Sequence, residues 1–356
     1  MNRILIIALS GIGDALMFTP AIKLLKKFNP GLEIDALVMF QGAKAILERN
    51  PSVHKVFYFD FLNEGIFNSL KFVLSLRNKY DASINAYPSN RREYSVINFL
   101  IGAKKRAAIK YLRKDFVNLG FLNNVRITEN DSLHNVQENI NLCEKLFNQK
   151  YDEQPNLDFY LTNDDVSYKE TYLKNQNISQ SDIVIGFHPG SATLKNQIKR
   201  RWEPEKFAEL GKRLINAYNA KILIFGGPEE DELKKNISST INSDNSIVVN
   251  TNNLAQSAAI IKGCNLFMTN DSSLMHVASA MKANIIALLG PTNPNYIYPW
   301  NTNHKIVRLN LDCSPCFIYS PRPLICFRND VKFKCMKELT VDMVYDAAKD
   351  FLTSST

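Results

Sequence analysis

The chain has 356 residues, 45% of them hydrophobic, with 43 basic and 35 acidic side chains and a formal charge of +8. That length suits two domains with ordinary cores, and the six cysteines are too few for a secreted disulfide scaffold. No apolar run reaches the roughly 18 residues of a membrane-spanning helix. The apolar start, Arg3 to Leu9, is broken by Gly11, Gly13 and Asp14 before a signal-peptide core can develop. The expected location is therefore the cytoplasm.

Residues 3–9 form a continuous aliphatic run, the pattern of a parallel strand covered on both faces. Ser10 to Asp14 reads as a tight loop. A helix follows, with Met17, Ala21, Leu24 and Phe28 at helical spacing. Pro20 should lie early in this helix or kink it. Further strands are expected at 34–39, 53–59 and 82–86, continuing a βα series to about residue 150. The excess charge is concentrated between Arg91 and Lys114, where eight basic residues meet only Glu93. The run reads either as a solvated helix face and loop or as a surface for an anionic lipid head group or acceptor. No nucleic-acid recognition motif accompanies it.

Residues 151–180 are polar, contain a short helix near 166–174, and read as the connection between domains. A second series then begins. Strands are expected at 183–187, 221–225, 247–249, 266–268 and 285–289, each followed by a small-residue loop, with helices near 254–262, after Ser273 and at 341–352. Strand, loop and helix in repetition mean a doubly wound parallel sheet. Two such α/β sheets are expected to face a cleft, with ligands beyond the carboxyl ends of the strands. The first domain is placed at 1–165 and the second at 180–335, with a terminal helix (340–356) packing back on the first.

Candidate chemistry falls in the strand-end loops. Ser272 and Ser273 open a helix whose free N–H groups attract phosphate. The dipole of one helix gives only about 0.3–1 kcal/mol, whereas micromolar binding needs about 8 kcal/mol. A diphosphate therefore needs charge-assisted bonds as well, and Lys195, Lys199, Arg200 and Arg201 are near enough in sequence to supply them. Asp271 is either part of this site or an ordinary N-cap. Glu230, just beyond Gly226-Gly227-Pro228, is either a ribose-binding carboxylate or a first-turn helix acid. Ser191 follows His188-Pro189-Gly190, and His276 lies on the helix after Ser273. Asp14 is the informative carboxylate of the first half, either a general base or a helix-capping group. Gly11 and Gly13 match the first two glycines of the dinucleotide fingerprint, but Leu16 takes the third place and Asp35 starts its strand rather than ending it, so that fingerprint is rejected. Cys313, Cys316, Cys326 and Cys335 form a local group that reads as structural zinc, as disulfides, or as reduced packing thiols.

Taken together, four segments resemble the lipopolysaccharide heptosyltransferases, glycosyltransferase family 9. They are Arg3-Ile4-Leu5-Ile6 through Ser10-Gly11-Ile12-Gly13-Asp14 to Thr19-Pro20-Ala21; His188-Pro189-Gly190-Ser191 with Arg200-Arg201-Trp202; Gly226-Gly227-Pro228-Glu229-Glu230; and Asn270-Asp271-Ser272-Ser273-Leu274-Met275-His276 leading to Gly290-Pro291-Thr292. The cysteine-rich tail is also similar to that of many members. The resemblance implies a GT-B fold with acceptor in the first domain and donor in the second. It also implies inverting, metal-independent transfer, with ADP-heptose as donor and a lipopolysaccharide-core glycan as acceptor. No cofactor is implied beyond the ADP-sugar substrate. By position, Asp14 matches the general base, with Gly11 and Gly13 beside it. Arg200 stands where the family has a phosphate-contacting lysine, Glu230 at the ribose acid, and Ser191, Asp271, Ser272, Ser273 and His276 in the donor site. Ser273 replaces the usual glycine. The segment 91–114 would face an anionic glycolipid at the cytoplasmic face of the inner membrane, and no nucleic acid is involved. The competing readings are a nicotinamide-dependent oxidoreductase and a non-catalytic nucleotide-sugar-binding module.

Overall fold

The computed structural model describes residues 1–318 and 322–353, so residues 354–356 of the expected terminal helix span lie outside the described residues. The chain divides into two compact units, Met1–Tyr160 and Leu161–Thr356.

The first unit runs β1 (Arg3–Ala8), α1 (Ile12–Phe28), β2 (Glu33–Val38), α2 (Gln41–Leu47), β3 (Lys55–Tyr58), α3 (Gly65–Ser75), β4 (Ala82–Asn85), α4 (Arg92–Ile101), β5 (Lys105–Lys110), β6 (Val125–Thr128) and α5 (Asn135–Phe147). Its parallel sheet has the order β3-β2-β1-β4-β5-β6. Ile4, Leu5, Ile6 and Ile7 are buried because helices cover both faces of this sheet. The glycine loop is shorter than the sequence suggests: Gly13 and Asp14 already lie in the first turn of α1. The cationic run from Arg91 to Lys114 also differs from a helix face and loop, since its middle is the strand β5.

Pro20 sits well inside α1, and the helix continues through it. Proline has no N–H to give the Leu16 carbonyl. Thr19 Oγ1 donates to that carbonyl instead, at 2.7 Å. The same hydroxyl accepts from the Asp158 amide at 2.8 Å. Residues 151–160 run back along α1: Tyr151 meets Phe28 with ring centroids 5.1 Å apart, Glu153 pairs with Lys27, and Asp158 pairs with Lys23. This part of the polar connection therefore belongs to the first unit.

The second unit comprises α6 (Asn163–Asn175), β7 (Val184–His188), α7 (Pro204–Tyr218), β8 (Lys221–Ile224), α8 (Asp231–Ile241), β9 (Ser246–Val248), α9 (Leu254–Ile261), β10 (Leu266–Asn270), α10 (Ser273–Ala280), β11 (Ile285–Leu288), α11 (Pro294–Ile297), β12 (His304–Val307), α12 (Lys334–Lys337) and α13 (Val341–Leu352). The sheet order is β9-β8-β7-β10-β11-β12, the topology of the first sheet repeated. In both sheets the order reverses next to the first strand, which creates a switch point where the following loops diverge. The terminal helix α13 packs on α7 and on β10, β11 and β12. Its apolar stripe (Val344, Ala348, Phe351 and Leu352) lies in the core of the second unit with Trp202 and Phe207.

Thr19→Val keeps the shape of a fully buried side chain but leaves the Leu16 carbonyl and the Asp158 amide without their partner. At about 1–3 kcal/mol for each unsatisfied group, the substitution should lower unfolding free energy by about 2 kcal/mol or more, read by urea denaturation.

Candidate active site

The switch point of the second sheet lies between β7 and β10, and most of the donor-site residues expected from the sequence gather there. β7 ends at His188 and β10 at Asn270, and both are buried. Asn270 joins the loops: its Nδ2 donates to the Pro189 carbonyl at 2.8 Å, and its Oδ1 accepts from the Trp202 amide at 3.0 Å. Asp271 is not the N-cap of α10. Its carboxylate accepts from Arg200 Nη1 and from Thr292 Oγ1 at 2.6 Å. Arg200 Nη2 donates to Gln197 Oε1 at 2.7 Å, and the guanidinium lies 5.4 Å from the centre of the Phe317 ring.

The N-cap of α10 is Ser272, and its side chain makes no capping bond to the helix. Its hydroxyl lies 2.9 Å from His188 Nδ1 and 3.0 Å from Thr269 Oγ1. The first N–H groups of α10 are thereby left without a side-chain cap, at a helix end that favours negative charge. Ser273, the first residue of α10, is half-buried at this end.

A second network stands beside the first. His188 Nε2 is 3.1 Å from Glu230 Oε2, and Arg201 Nη2 donates to Glu230 Oε1 at 2.9 Å. The Gly227 amide donates to Glu230 Oε2 at 3.2 Å. Burial pushes the Glu230 carboxyl up, but the His188 hydrogen bond and charge, the Arg201 charge and the Gly227 N–H outweigh it and hold it below its ordinary value. An ionised carboxylate only accepts, so Nε2 of His188 carries the hydrogen. Gly190 makes this packing feasible: a Cβ there would fall 1.8 Å from Glu230 Oε1. Arg201 Nη2 also donates to the Ser191 carbonyl at 2.7 Å, which fixes the loop after β7.

Three buried side-chain nitrogen atoms have no hydrogen-bond partner among the described residues, Arg308 Nε and, in this region, Arg200 Nε and His276 Nδ1. Burial lowers the His276 pKa to about 4, against a smaller upward pull from Asp271, so its ring is neutral at pH 7. Lys195 and Lys199 are exposed, and the Lys195 carbonyl accepts from the Leu324 amide at 2.9 Å.

In the first unit, Asp14 Oδ2 accepts from the amide of Gly11, the N-cap of α1, at 3.0 Å. Ser10 Oγ donates to the Pro88 carbonyl at 2.6 Å, joining the loops after β1 and β4. Tyr94 donates to the Leu9 carbonyl at 3.0 Å. Burial raises its pKa, Arg91 lowers it and Asp14 raises it, so both charges lie around one phenol. Gly11 is not held to glycine by crowding, since a Cβ there would meet only Asp14 Oδ2 at 3.8 Å.

The cysteines form no disulfide among the described residues. All six are free thiols, and among the described residues no group of three or more His, Cys, Asp or Glu is placed to hold a metal ion. Cys326 Sγ accepts from the Phe333 amide at 3.2 Å and Cys313 Sγ from Arg328 at 3.5 Å. Burial, with smaller contributions from the other three thiols, pushes Cys335 up to about 11.

Comparison with known proteins decides the family. The model described as glycosyltransferase family 9 (heptosyltransferase) matches residues 69–322. The chain belongs to glycosyltransferase family 9. It is similar to lipooligosaccharide heptosyltransferase 2 of Haemophilus influenzae, 29% identical over 323 residues that cover 86% of this chain and 88% of the relative. Lipopolysaccharide heptosyltransferase 2 of Escherichia coli is 26% identical over 317 residues, with 86% and 88% covered. Two solved structures share the fold. A family 9 glycosyltransferase from Veillonella parvula has a TM-score of 0.77, 22% identity and coverage of 99% of this chain and 97% of its own. The E. coli ADP-heptose lipopolysaccharide heptosyltransferase II has a TM-score of 0.75, 21% identity and 99% coverage of both. The protein is thus a glycosyltransferase on the two-domain α/β GT-B fold, and membership decides against the oxidoreductase reading. No described helix is long and apolar enough to cross a membrane.

The parts that sequence reasoning passed over are the supports. Arg201 pairs with Glu230, and His188, Asn270, Gln197 and Thr292 fix the loops. His188, Asn270 and Thr292 stand inside the very motifs that carried the resemblance, which was the available signal.

A histidine whose folded pKa is depressed contributes stability above its unfolded pKa of about 6.5 and loses it as pH falls through the folded value, here about 4. Wild-type protein should therefore lose about 3 kcal/mol relative to His276→Asn between pH 6.5 and 4, measured as unfolding free energy across that range.

Proposed function

We propose that this glycosyltransferase moves a heptose from ADP-heptose to a lipopolysaccharide-core glycan by a single inverting displacement. The observation that carries the donor side is the convergence on one switch point of an uncapped helix end and a buried guanidinium. The α10 N-terminus supplies backbone N–H groups and the positive end of a dipole. Arg200 supplies a buried Nε–H that no group among the described residues takes up. These are the donors that a diphosphate leaving group needs as charge accumulates on it. The names of the relatives, lipooligosaccharide and lipopolysaccharide heptosyltransferases, support the sugar and the acceptor class.

In this reading Asp14 takes the proton from an acceptor hydroxyl, whose oxygen attacks the anomeric carbon from the side opposite the diphosphate. The bond from that carbon to the diphosphate oxygen breaks, and ADP leaves with the electron pair. Glu230, kept ionised, offers a carboxylate to the ribose hydroxyls. Neutral His276, with a free Nδ1, and Ser273 border the sugar and phosphate positions, and Ser191 fixes the loop after β7. The cations between Arg91 and Lys114 face a phosphorylated glycolipid acceptor at the cytoplasmic face of the inner membrane.

Asp14→Asn is the cleanest test, because the amide oxygen still accepts from the Gly11 amide while the base is gone. Transfer should fall about 10²–10⁴-fold, with ADP affinity unchanged by calorimetry; full turnover by this variant rejects the role. Arg200→Ala should weaken ADP binding about 10–100-fold, the loss of one or two charge-assisted hydrogen bonds.

A further inference from the structure

One face of the first sheet is covered by a layer whose outer surface is unlike the rest of the unit. α3 packs beside α4, and α4 packs beside a short 3₁₀ turn at Gly120–Leu122. The inner side of α3 is used in the ordinary way: Val73 and Leu76 are buried against Leu5, Ile7 and Leu37 of the sheet. Its outer side is also apolar. Ile66 is 80% exposed and Phe67 87%, and Leu70 and Leu74 are exposed too. Residues 66, 70 and 74 fall in one row along a helix, with 67 beside them. A surface helix normally turns charged residues outward, and here that place is held by a second apolar stripe.

The same layer carries a second apolar projection. Phe116 is 79% exposed, and its ring centroid lies 5.7 Å from that of exposed Phe121. The same elements carry exposed cations: Lys71 on α3, Arg92 at the start of α4, and Lys110 and Lys114 around the end of β5. The segment 91–114 contributes eight basic residues against one acidic. Strands of a parallel sheet all end at one edge, so the starts of α3 and α4 and the loop after β5 stand together at that edge.

We infer that this layer docks on an anionic bilayer, with the outer stripe of α3 and the Phe116–Phe121 pair entering the head-group region and the cations resting on anionic lipid phosphates. Charge selects this occupant. A second copy related by a two-fold axis would set this cationic layer against itself, whereas an anionic lipid surface complements it. Apolar side chains flanked by lysine and arginine are what binding in the plane of the interface requires. The inference adds a docking element to the membrane-side acceptor proposed above, but it does not rest on sugar transfer.

The full chain should co-sediment with vesicles of phosphatidylglycerol and phosphatidylethanolamine and not with pure phosphatidylcholine. Ile66→Glu/Phe67→Glu should lower the partition coefficient at least tenfold, with helical content and ADP affinity unchanged, since both side chains are exposed and belong to the other unit. Lys110→Glu/Lys114→Glu should abolish the preference for anionic vesicles, and raising salt from 0.1 to 0.5 M should weaken wild-type binding. Absence of wild-type binding, or equal binding by the Ile66→Glu/Phe67→Glu variant, overturns the inference. So does a wild-type dimer that the same double substitution converts to a monomer without any vesicle binding, which would assign the stripe to a second copy.

Discussion

A carboxylate as buried as that of Asp271 cannot be left uncompensated, and much of the geometry at the switch point of the second sheet follows from how this charge is met. Arg200 and Thr292 supply the compensation. They come from different loops, so neutralising one side chain draws together the end of β10, the turn at 194–200 and the segment after β11. Such pairs add little net stability, but removing one partner costs about 3–5 kcal/mol. The arrangement is therefore hard to lose piecemeal. Asn270, one residue earlier, stitches the same loops with neutral bonds to Pro189 and Trp202. Between them, two adjacent residues determine where Arg200 stands relative to the start of α10.

The two units solve the same problem with the same strand order. A parallel sheet delivers its loops to one edge, and at the switch point neighbouring loops diverge and leave space. Each unit spans that space with a short polar contact. In the first it is Ser10 to the Pro88 carbonyl, and in the second His188 to Ser272 and Asn270 to Pro189. The contacts keep backbone and hydroxyl groups at fixed positions without filling the crevice. In the first unit the Asp14 carboxylate also holds the Gly11 amide, which fixes the start of α1 beside that contact.

The fold was legible because buried parallel strands have an unmistakable pattern: runs such as Ile4–Ile7 and Ile285–Leu288 admit few other readings. β5 was obscured because Lys105, Arg106 and Lys110 give an edge-proximal strand the composition of a solvated segment. Periodicity reveals that the terminal helix has an apolar stripe but not which core receives it; Val344, Ala348, Phe351 and Leu352 lie in the core of the second unit. In the site, the loops that matter were readable from their small residues, whereas the partner of each charge was not. Arg200 and Arg201 are adjacent and alike in sequence. They diverge only because backbone geometry turns one toward Asp271 and the next toward Glu230.

The proline in α1 has a bearing on where this protein can be divided. Its missing N–H is made good by Thr19, and that hydroxyl in turn receives the Asp158 amide, with Tyr151, Glu153 and Lys23 fastening the same stretch along the helix. The ribbon after α5 thus functions as a splint for a weakened helix, although its polar composition gives it the look of a mere tether. An excised amino-terminal half that stopped at residue 150 would strip the splint away, whereas one severed after Tyr160 would carry its own reinforcement.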